Sequence, residues 1–73
     1  MEDNICKNFA KRLKEIREKK GLSKGQLSSL ADCDMSYIGK IERCEKFPTL
    51  KMIAKLAIAL DVPAQDLFLP DQA

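Results

Sequence analysis

Apolar side chains recur at helical spacing along most of this chain. The first stripe predicts a helix from about residue 5 or 8 to residue 20, and it consists of Ile5, Phe9, Leu13 and Ile16. Gly21 follows as a C-terminal stop, because glycine readily takes the left-handed conformation that ends many helices. Residues 1–4 are expected to be ragged.

Two short helices with a tight turn between them are predicted over residues 22–43. Ser23 and Gln26 form a capping box at the start of the first, whose apolar face consists of Leu27, Leu30 and Ala31. Asp34 is expected to cap the second helix, roughly 35–43, in which Ile38 and Ile41 point inward.

The last third of the chain predicts two more helices. Thr49 caps a helix of about 50–60, with a core face made of Leu50, Ile53, Leu56, Ala57 and Leu60. Pro63 suits the first position of a final short helix over about 63–68. We therefore predict an all-α fold, a compact bundle of five short helices in a single domain, residues 1–73.

The outward face of helix 35–43 has no obvious structural purpose. At about 100° per residue, one arc of this helix carries two cations, a hydroxyl, a thioether and a glycine: Met35, Ser36, Gly39, Lys40 and Arg43. Such a surface suits the major groove of DNA, which is wide enough to admit an α-helix.

At this point the sequence resembles the lambda-repressor and Cro-like (XRE) helix-turn-helix regulators. The resemblance spans roughly residues 8–68 and is carried by Leu22, Ser23, Leu27, Ala31, Ser36-Tyr37-Ile38, Ile41-Glu42-Arg43, Pro48, Leu50, Lys55-Leu56-Ala57, Ala59-Leu60 and Val62. The chain departs from the family where Asp32 and Cys44 replace glycines and where Lys24-Gly25 replaces Gln-Glu.

The resemblance implies a helix-turn-helix at residues 23–43 and a sequence-specific regulator that binds double-stranded DNA. It assigns base reading to Met35, Ser36, Gly39 and Lys40 of recognition helix 35–43. It assigns phosphate contacts to Lys24, Tyr37, Arg43 and Lys46. The chemistry agrees, because a lysine can donate to guanine and a thioether can pack on a thymine methyl group.

Arg17 and Glu42 are charges placed at the borders of two apolar stripes. Arg17 lies four residues after Leu13, and Glu42 lies four residues after Ile38. A charge at such a border is costly unless it is paired. A salt bridge between helices 1 and 3 would satisfy both, and the resemblance implies the same pair; two independent surface charges are the alternative.

Charge along the chain favours a polyanionic partner. Residues 7–55 carry all 13 basic residues and six acidic ones, a net charge of +7, whereas both ends are acidic. Helices are often rich in lysine, so this pattern alone is also consistent with a solvated surface.

The cysteines are three in number, and histidine is absent from the sequence. Cys6, Cys33 and Cys44 have no Cys-x-x-Cys spacing, which argues against a zinc site and against a disulfide framework. We expect a reducing cytoplasm, no cofactor, no metal, no small-molecule ligand and no membrane span. Catalytic motifs are also missing, so enzymatic function is the least supported class.

Helix 50–60 carries apolar side chains around more of its circumference than a single buried face requires. A chain of 73 residues buries only about 60–65% of its unfolded surface, so pairing with a second copy would stabilise it. We predict a homodimer through the C-terminal helices, residues 49–69, with an interface at Met52, Ile58, Phe68 and Leu69.

Two function classes remain open from the sequence. The first is a transcription regulator that binds a palindromic operator as a dimer, resembling small phage regulators or restriction–modification controller proteins. The second is a protein-interaction module of the same fold, such as the antitoxin of a toxin pair. An extended tail that could wrap a toxin is absent from the sequence, which favours the first.

Overall fold

The computed structural model describes residues 2–69, with side chains from residue 5 onward. This range contains four α-helices and one 3-10 helix: α1 Glu2–Lys19, α2 Lys24–Leu30, α3 Met35–Glu42, α4 Leu50–Leu60 and the 3-10 helix Ala64–Phe68. The all-α prediction is confirmed. The fifth helix is of the 3-10 type, because a five-residue segment between two extended residues has room for little more than one turn.

Helix α1 begins earlier than the sequence predicted. It already includes residues 2–4, which we expected to be ragged, whereas residues 1 and 70–73 lie outside the described range. The helix ends at Lys19 and the chain turns at Gly21, whose φ of +74° is the left-handed conformation expected of a stop.

Capping follows the sequence in two helices and departs from it in a third. Ser23 and Gln26 complete the capping box of α2, and the Thr49 hydroxyl accepts a hydrogen bond from the Met52 amide at the start of α4. Asp34 stands at the N-cap position of α3, but its side chain caps no backbone amide. Its carboxylate instead accepts a hydrogen bond from the Ser36 hydroxyl at 2.9 Å.

One apolar core joins all five elements. Its buried members are Phe9, Leu13, Ile16, Leu27, Ala31, Ile38, Ile41, Ile53, Leu56, Ala57, Leu60 and Leu67. Three predicted core residues are exposed instead: Ile5, Leu30 and Leu50, the last of them to 85%. Leu30 and Leu50 are terminal residues of their helices, and Ile5 lies a full turn before Phe9, so the packing partners end before they reach these side chains.

Two positions that are glycine in the family adopt the left-handed conformation with other residues. Asp32 has a φ of +57° in the turn between α2 and α3, and Cys44 has a φ of +62° just after α3. Aspartate tolerates this region better than most residues, whereas for cysteine it costs roughly 1–2 kcal/mol. Helix α3 is therefore still followed by a left-handed residue, as in the family.

A disulfide joins Cys6 on α1 to Cys44 after α3. The two Cα atoms are 5.9 Å apart, within the usual range for such a bridge. The sequence argument against disulfides was therefore wrong for two of the three cysteines, because sequence spacing does not show which distant residues the fold brings together. Cys33 remains a free thiol, half-buried against the core.

Candidate nucleic-acid interface

A shallow concave surface of about 370 Å³ lies between the start of α2 and the outward arc of α3. We call it the α2–α3 concavity, and its lining residues are Lys24, Asp34, Met35, Ser36, Gly39, Lys40 and Arg43. It unites all four residues predicted to read bases with two of the four predicted to contact phosphate. Tyr37, half-buried against the core, and Lys46, exposed in the loop after α3, are not among its lining residues.

Helix α3 is held by its inner face, which leaves the arc free to carry polar residues. Ile38 and Ile41 are buried almost completely in the core. At 100° per residue, burial of these two positions turns Ser36, Lys40 and Arg43 toward solvent, and all three are exposed. The same packing that stabilises α3 thus determines which side chains a ligand would meet.

A close approach between α2 and α3 brings Lys24 to the concavity. A Cβ atom on Gly25 would lie 3.5 Å from the Met35 sulfur, so the Met35 side chain packs directly on this glycine. Ser28 stabilises the same turn by donating a hydrogen bond to the Gly25 carbonyl at 2.8 Å. The unusual Lys24-Gly25 pair of the sequence therefore supplies both a cation at the concavity and a packing contact for α3.

Two carboxylates were not recognised from the sequence as partners of the predicted DNA contacts: Asp34, which was expected only to cap α3, and Glu45, which follows α3. Asp34 accepts a hydrogen bond from Ser36, and Glu45 accepts two from Arg43 at 2.8 and 3.3 Å. Both acids are separated by two positions from the residue they bind, and that short spacing was the signal available in the sequence. Two of the donors predicted to contact DNA, Ser36 and Arg43, thus already have partners within the protein.

The predicted Arg17–Glu42 ion pair is present and joins α1 to the last residue of α3. Arg17 Nε lies 2.7 Å from Glu42 Oε2, and the two side chains are only 8% and 4% exposed. The hydrogen bond that Arg17 donates to Glu42, opposed by burial and reinforced by the negative charges of Glu42 and Glu18, raises the pKa of Arg17. This pair fixes the C-terminal end of α3 on α1.

The predicted dimer residues differ in their exposure. Ile58 is 79% exposed, and Phe68 and Leu69 are about two-fifths exposed, whereas Met52 is half-buried against the core of its own chain. Ile58 borders a groove with Leu30 and Lys55, while the Phe68 ring packs 5.1 Å from that of Phe9. These apolar side chains are accessible to a second molecule, with Met52 contributing only its outer part.

Two kinds of site do not occur in the described part of the chain. No group of cysteine, aspartate and glutamate side chains between residues 5 and 69 is arranged to hold a metal ion. Over the same residues, no helix has the length and apolar character needed to cross a membrane.

Comparison with known proteins places this architecture in a family. A helix-turn-helix family model, HTH_3, matches residues 13–67. The chain is 30% identical over 71 residues to the HTH-type transcriptional regulator SutR of Escherichia coli strain K12. That match covers 97% of this chain and 40% of SutR, so the chain spans less than half the length of this curated relative.

Two solved structures share the fold and have appreciable identity. The restriction-modification controller protein C.AhdI from Aeromonas hydrophila is 43% identical, with a TM-score of 0.84 over 86% of this chain and 96% of C.AhdI. The hypothetical transcription factor NHTF from Neisseria is 32% identical, with a TM-score of 0.90 over 99% of this chain and 83% of NHTF. The chain belongs to the XRE-like helix-turn-helix family of DNA-binding transcription regulators.

Proposed function

We propose that this protein is a sequence-specific transcription regulator that binds double-stranded DNA with α3 in the major groove. The observation that carries the proposal is the α2–α3 concavity, in which Lys24 from one helix joins the outward arc of the next. In this arrangement Met35, Ser36, Gly39 and Lys40 face base edges. Lys24, Tyr37, Arg43 and Lys46 contact the sugar–phosphate backbone.

The active form in this proposal is a homodimer on a palindromic operator. Exposed Ile58, Phe68 and Leu69, together with the outer part of Met52, supply an apolar surface on a chain of only 73 residues. A two-fold axis through residues 49–69 would present two α3 helices to half-sites about 34 Å apart, one turn of DNA.

The similarity to C.AhdI supports a controller-type role for this regulator. A cytoplasmic location follows from its DNA partner and no longer from its cysteines, because two of the three are joined in a disulfide. We assign the protein no enzymatic activity, cofactor or small-molecule ligand.

Selection from a random pool of duplexes tests the proposal directly. The purified protein should enrich a palindromic consensus whose half-sites are separated by about one helical turn. A Lys40→Ala protein serves as the control, since it should enrich a weaker or altered consensus. Absence of enrichment by the wild-type protein would contradict DNA reading and would favour a protein-interaction module of the same fold.

A further inference from the structure

Arg43 does not extend freely from the end of the recognition helix. Its Nε donates to Glu45 Oε2 at 2.8 Å and its Nη2 donates to Glu45 Oε1 at 3.3 Å, so one edge of the guanidinium is held by a two-point contact. The contact raises the pKa of Arg43 and lowers the pKa of Glu45, which keeps both groups charged at neutral pH. About half of each side chain is exposed.

Gly39 provides the surface on which this guanidinium rests. A Cβ atom at position 39 would lie 2.9 Å from Arg43 Nη1 and 3.8 Å from its Cζ. The side chain of Arg43 therefore folds back along α3, and any larger residue at position 39 would displace it. Gly39 is buried although it belongs to the outward arc.

This arrangement leaves one particular edge of Arg43 for a ligand. The Glu45 carboxylate occupies the Nε and Nη2 side, while Nη1 and the second hydrogen of Nη2 take no part in this contact, and Arg43 is one of the residues that line the α2–α3 concavity. These two donors are parallel, and paired acceptors such as O6 and N7 of guanine match them. A backbone phosphate could accept from the same edge, but its negative charge would then lie close to the Glu45 carboxylate, whereas a base edge carries no net charge.

We propose that Glu45 is a positioning residue that, through Arg43, determines how strongly the protein discriminates between DNA sequences. By holding the guanidinium over Gly39, Glu45 directs Arg43 toward a base edge with paired acceptors and away from phosphates, which are the same in every sequence. The inference rests on the proposed function and revises its assignment of Arg43, which the sequence placed among the phosphate contacts.

The test compares Glu45→Gln with Glu15→Gln on selected and scrambled duplexes. Glu15 is a matched control, because it is also paired with an arginine, Arg12, at 3.3 Å, but on α1. In Glu45→Gln the released Arg43 should contact phosphates of either duplex. The ratio of the two dissociation constants should fall on the order of tenfold, and the salt dependence on scrambled DNA should steepen by about one unit per protomer. Glu15→Gln should leave both quantities unchanged.

Two further variants separate positioning from charge. In an Arg43→Ala background, Glu45→Gln should no longer change the ratio, as expected of residues that act as a unit. Gly39→Ala keeps both charges and favours the helix, yet it should lower the ratio as Glu45→Gln does. Arg43 and Glu45 are exposed, so we expect their variants to fold normally. Unfolding curves of every variant, including Gly39→Ala, should verify this.

The inference is overturned if Glu45→Gln alters binding to both duplexes by the same factor, or if its effect persists without Arg43. An unchanged ratio in Gly39→Ala would also overturn it. These outcomes are distinct from failure of the proposed function itself, which would show as a wild-type protein that does not distinguish the two duplexes.

Discussion

Arg17 and Glu42 join α1 to α3 through a two-point ion pair, with Nε–Oε2 and Nη2–Oε1 distances of 2.7 and 3.1 Å. The remaining Nη1 of Arg17 donates to the Leu22 carbonyl at 2.8 Å. A single guanidinium thus contacts both the residue before the helix-turn-helix and the last residue of α3. Since both charges are buried, the loss of either one should affect folding before it affects DNA binding.

Replacement of one partner of this pair should be strongly destabilising. Arg17→Met and Glu42→Leu each leave one buried charge without its partner, which typically lowers the free energy of unfolding by about 3–5 kcal/mol. The double variant should lose less than the sum, because no isolated charge remains. Urea unfolding measures all three variants, with Glu15→Gln as the control for a less buried ion pair, whose loss is expected to cost about 0.2–1 kcal/mol. Losses below about 1 kcal/mol in both single variants would show that the pair contributes no more than a surface pair.

Lys40 and Lys24 should fail in different ways when each is changed to alanine. Lys40 lies mid-arc on α3, so its loss should cost roughly 1–3 kcal/mol per half-site on the selected duplex and little on scrambled DNA. Lys24 should neutralise a phosphate, so its loss should weaken both duplexes alike and reduce the salt slope by about one unit per protomer. Titrations at several salt concentrations distinguish the two.

The control for this pair is Lys14→Ala, an exposed lysine of α1 that we place on a solvated face. Lys14→Ala should not change the ratio of the dissociation constants for the scrambled and selected duplexes. It should change the salt dependence of binding only slightly. Equal weakening of both duplexes by Lys40→Ala would remove this lysine from the base-reading set.

The disulfide should contribute measurably to stability. It closes a loop between residues 38 positions apart, and the chain-entropy model gives about 3–4 kcal/mol for a loop of that length. Reduction should therefore lower the free energy of unfolding of the wild type, while Cys6→Ser should be insensitive to the reductant. Alkylation before reduction should label Cys33 alone. Labelling of all three cysteines without reductant would contradict the bridge.

Cys33 should make stability depend on pH in the alkaline range. Burial, followed by the nearby Asp34, raises the pKa of its thiol. The unfolded chain therefore releases this proton at a lower pH than the folded one. The protonated Cys33 thiol therefore contributes to the free energy of unfolding. This contribution is complete below the pKa of the thiol in the unfolded chain, about 8.5, and declines as pH rises above it. The difference in unfolding free energy between wild type and Cys33→Ala should shrink from pH 7 to pH 10; a constant difference would argue against this shift.

Association should depend on one side of α4. Ile58→Glu places a charge in the proposed interface and should yield monomers in sedimentation equilibrium, whereas Leu50→Glu, at a comparably exposed position on another arc, should not. Both changes lie on the surface, so folding should be retained. If Leu50→Glu yielded monomers and Ile58→Glu did not, the interface would lie on the Leu50 side of the helix. A wild-type protein that remains monomeric at tens of micromolar (a chosen test condition) would contradict the dimer itself.

Local patterning determined the elements of this fold. Helical spacing, the Ser23–Gln26 capping box, Thr49 and Gly21 located the helices to within a few residues, because these signals act between neighbours in the chain. The outward arc of α3 could be read in the same way, since burial of Ile38 and Ile41 fixes what the other side presents. Opposite charges at two stripe borders were sufficient to indicate the Arg17–Glu42 pair.

Tertiary structure alone decided the contacts between distant or flexible groups. No periodic signal in the sequence indicated the Cys6–Cys44 disulfide, the exposure of Leu50 or the position of the Arg43 guanidinium over Gly39. Each depends on where a helix end or a long side chain lies relative to another element. Periodicity shows which side of a helix is buried, but it carries no information on how far a neighbouring helix extends or which of several nearby partners a side chain reaches.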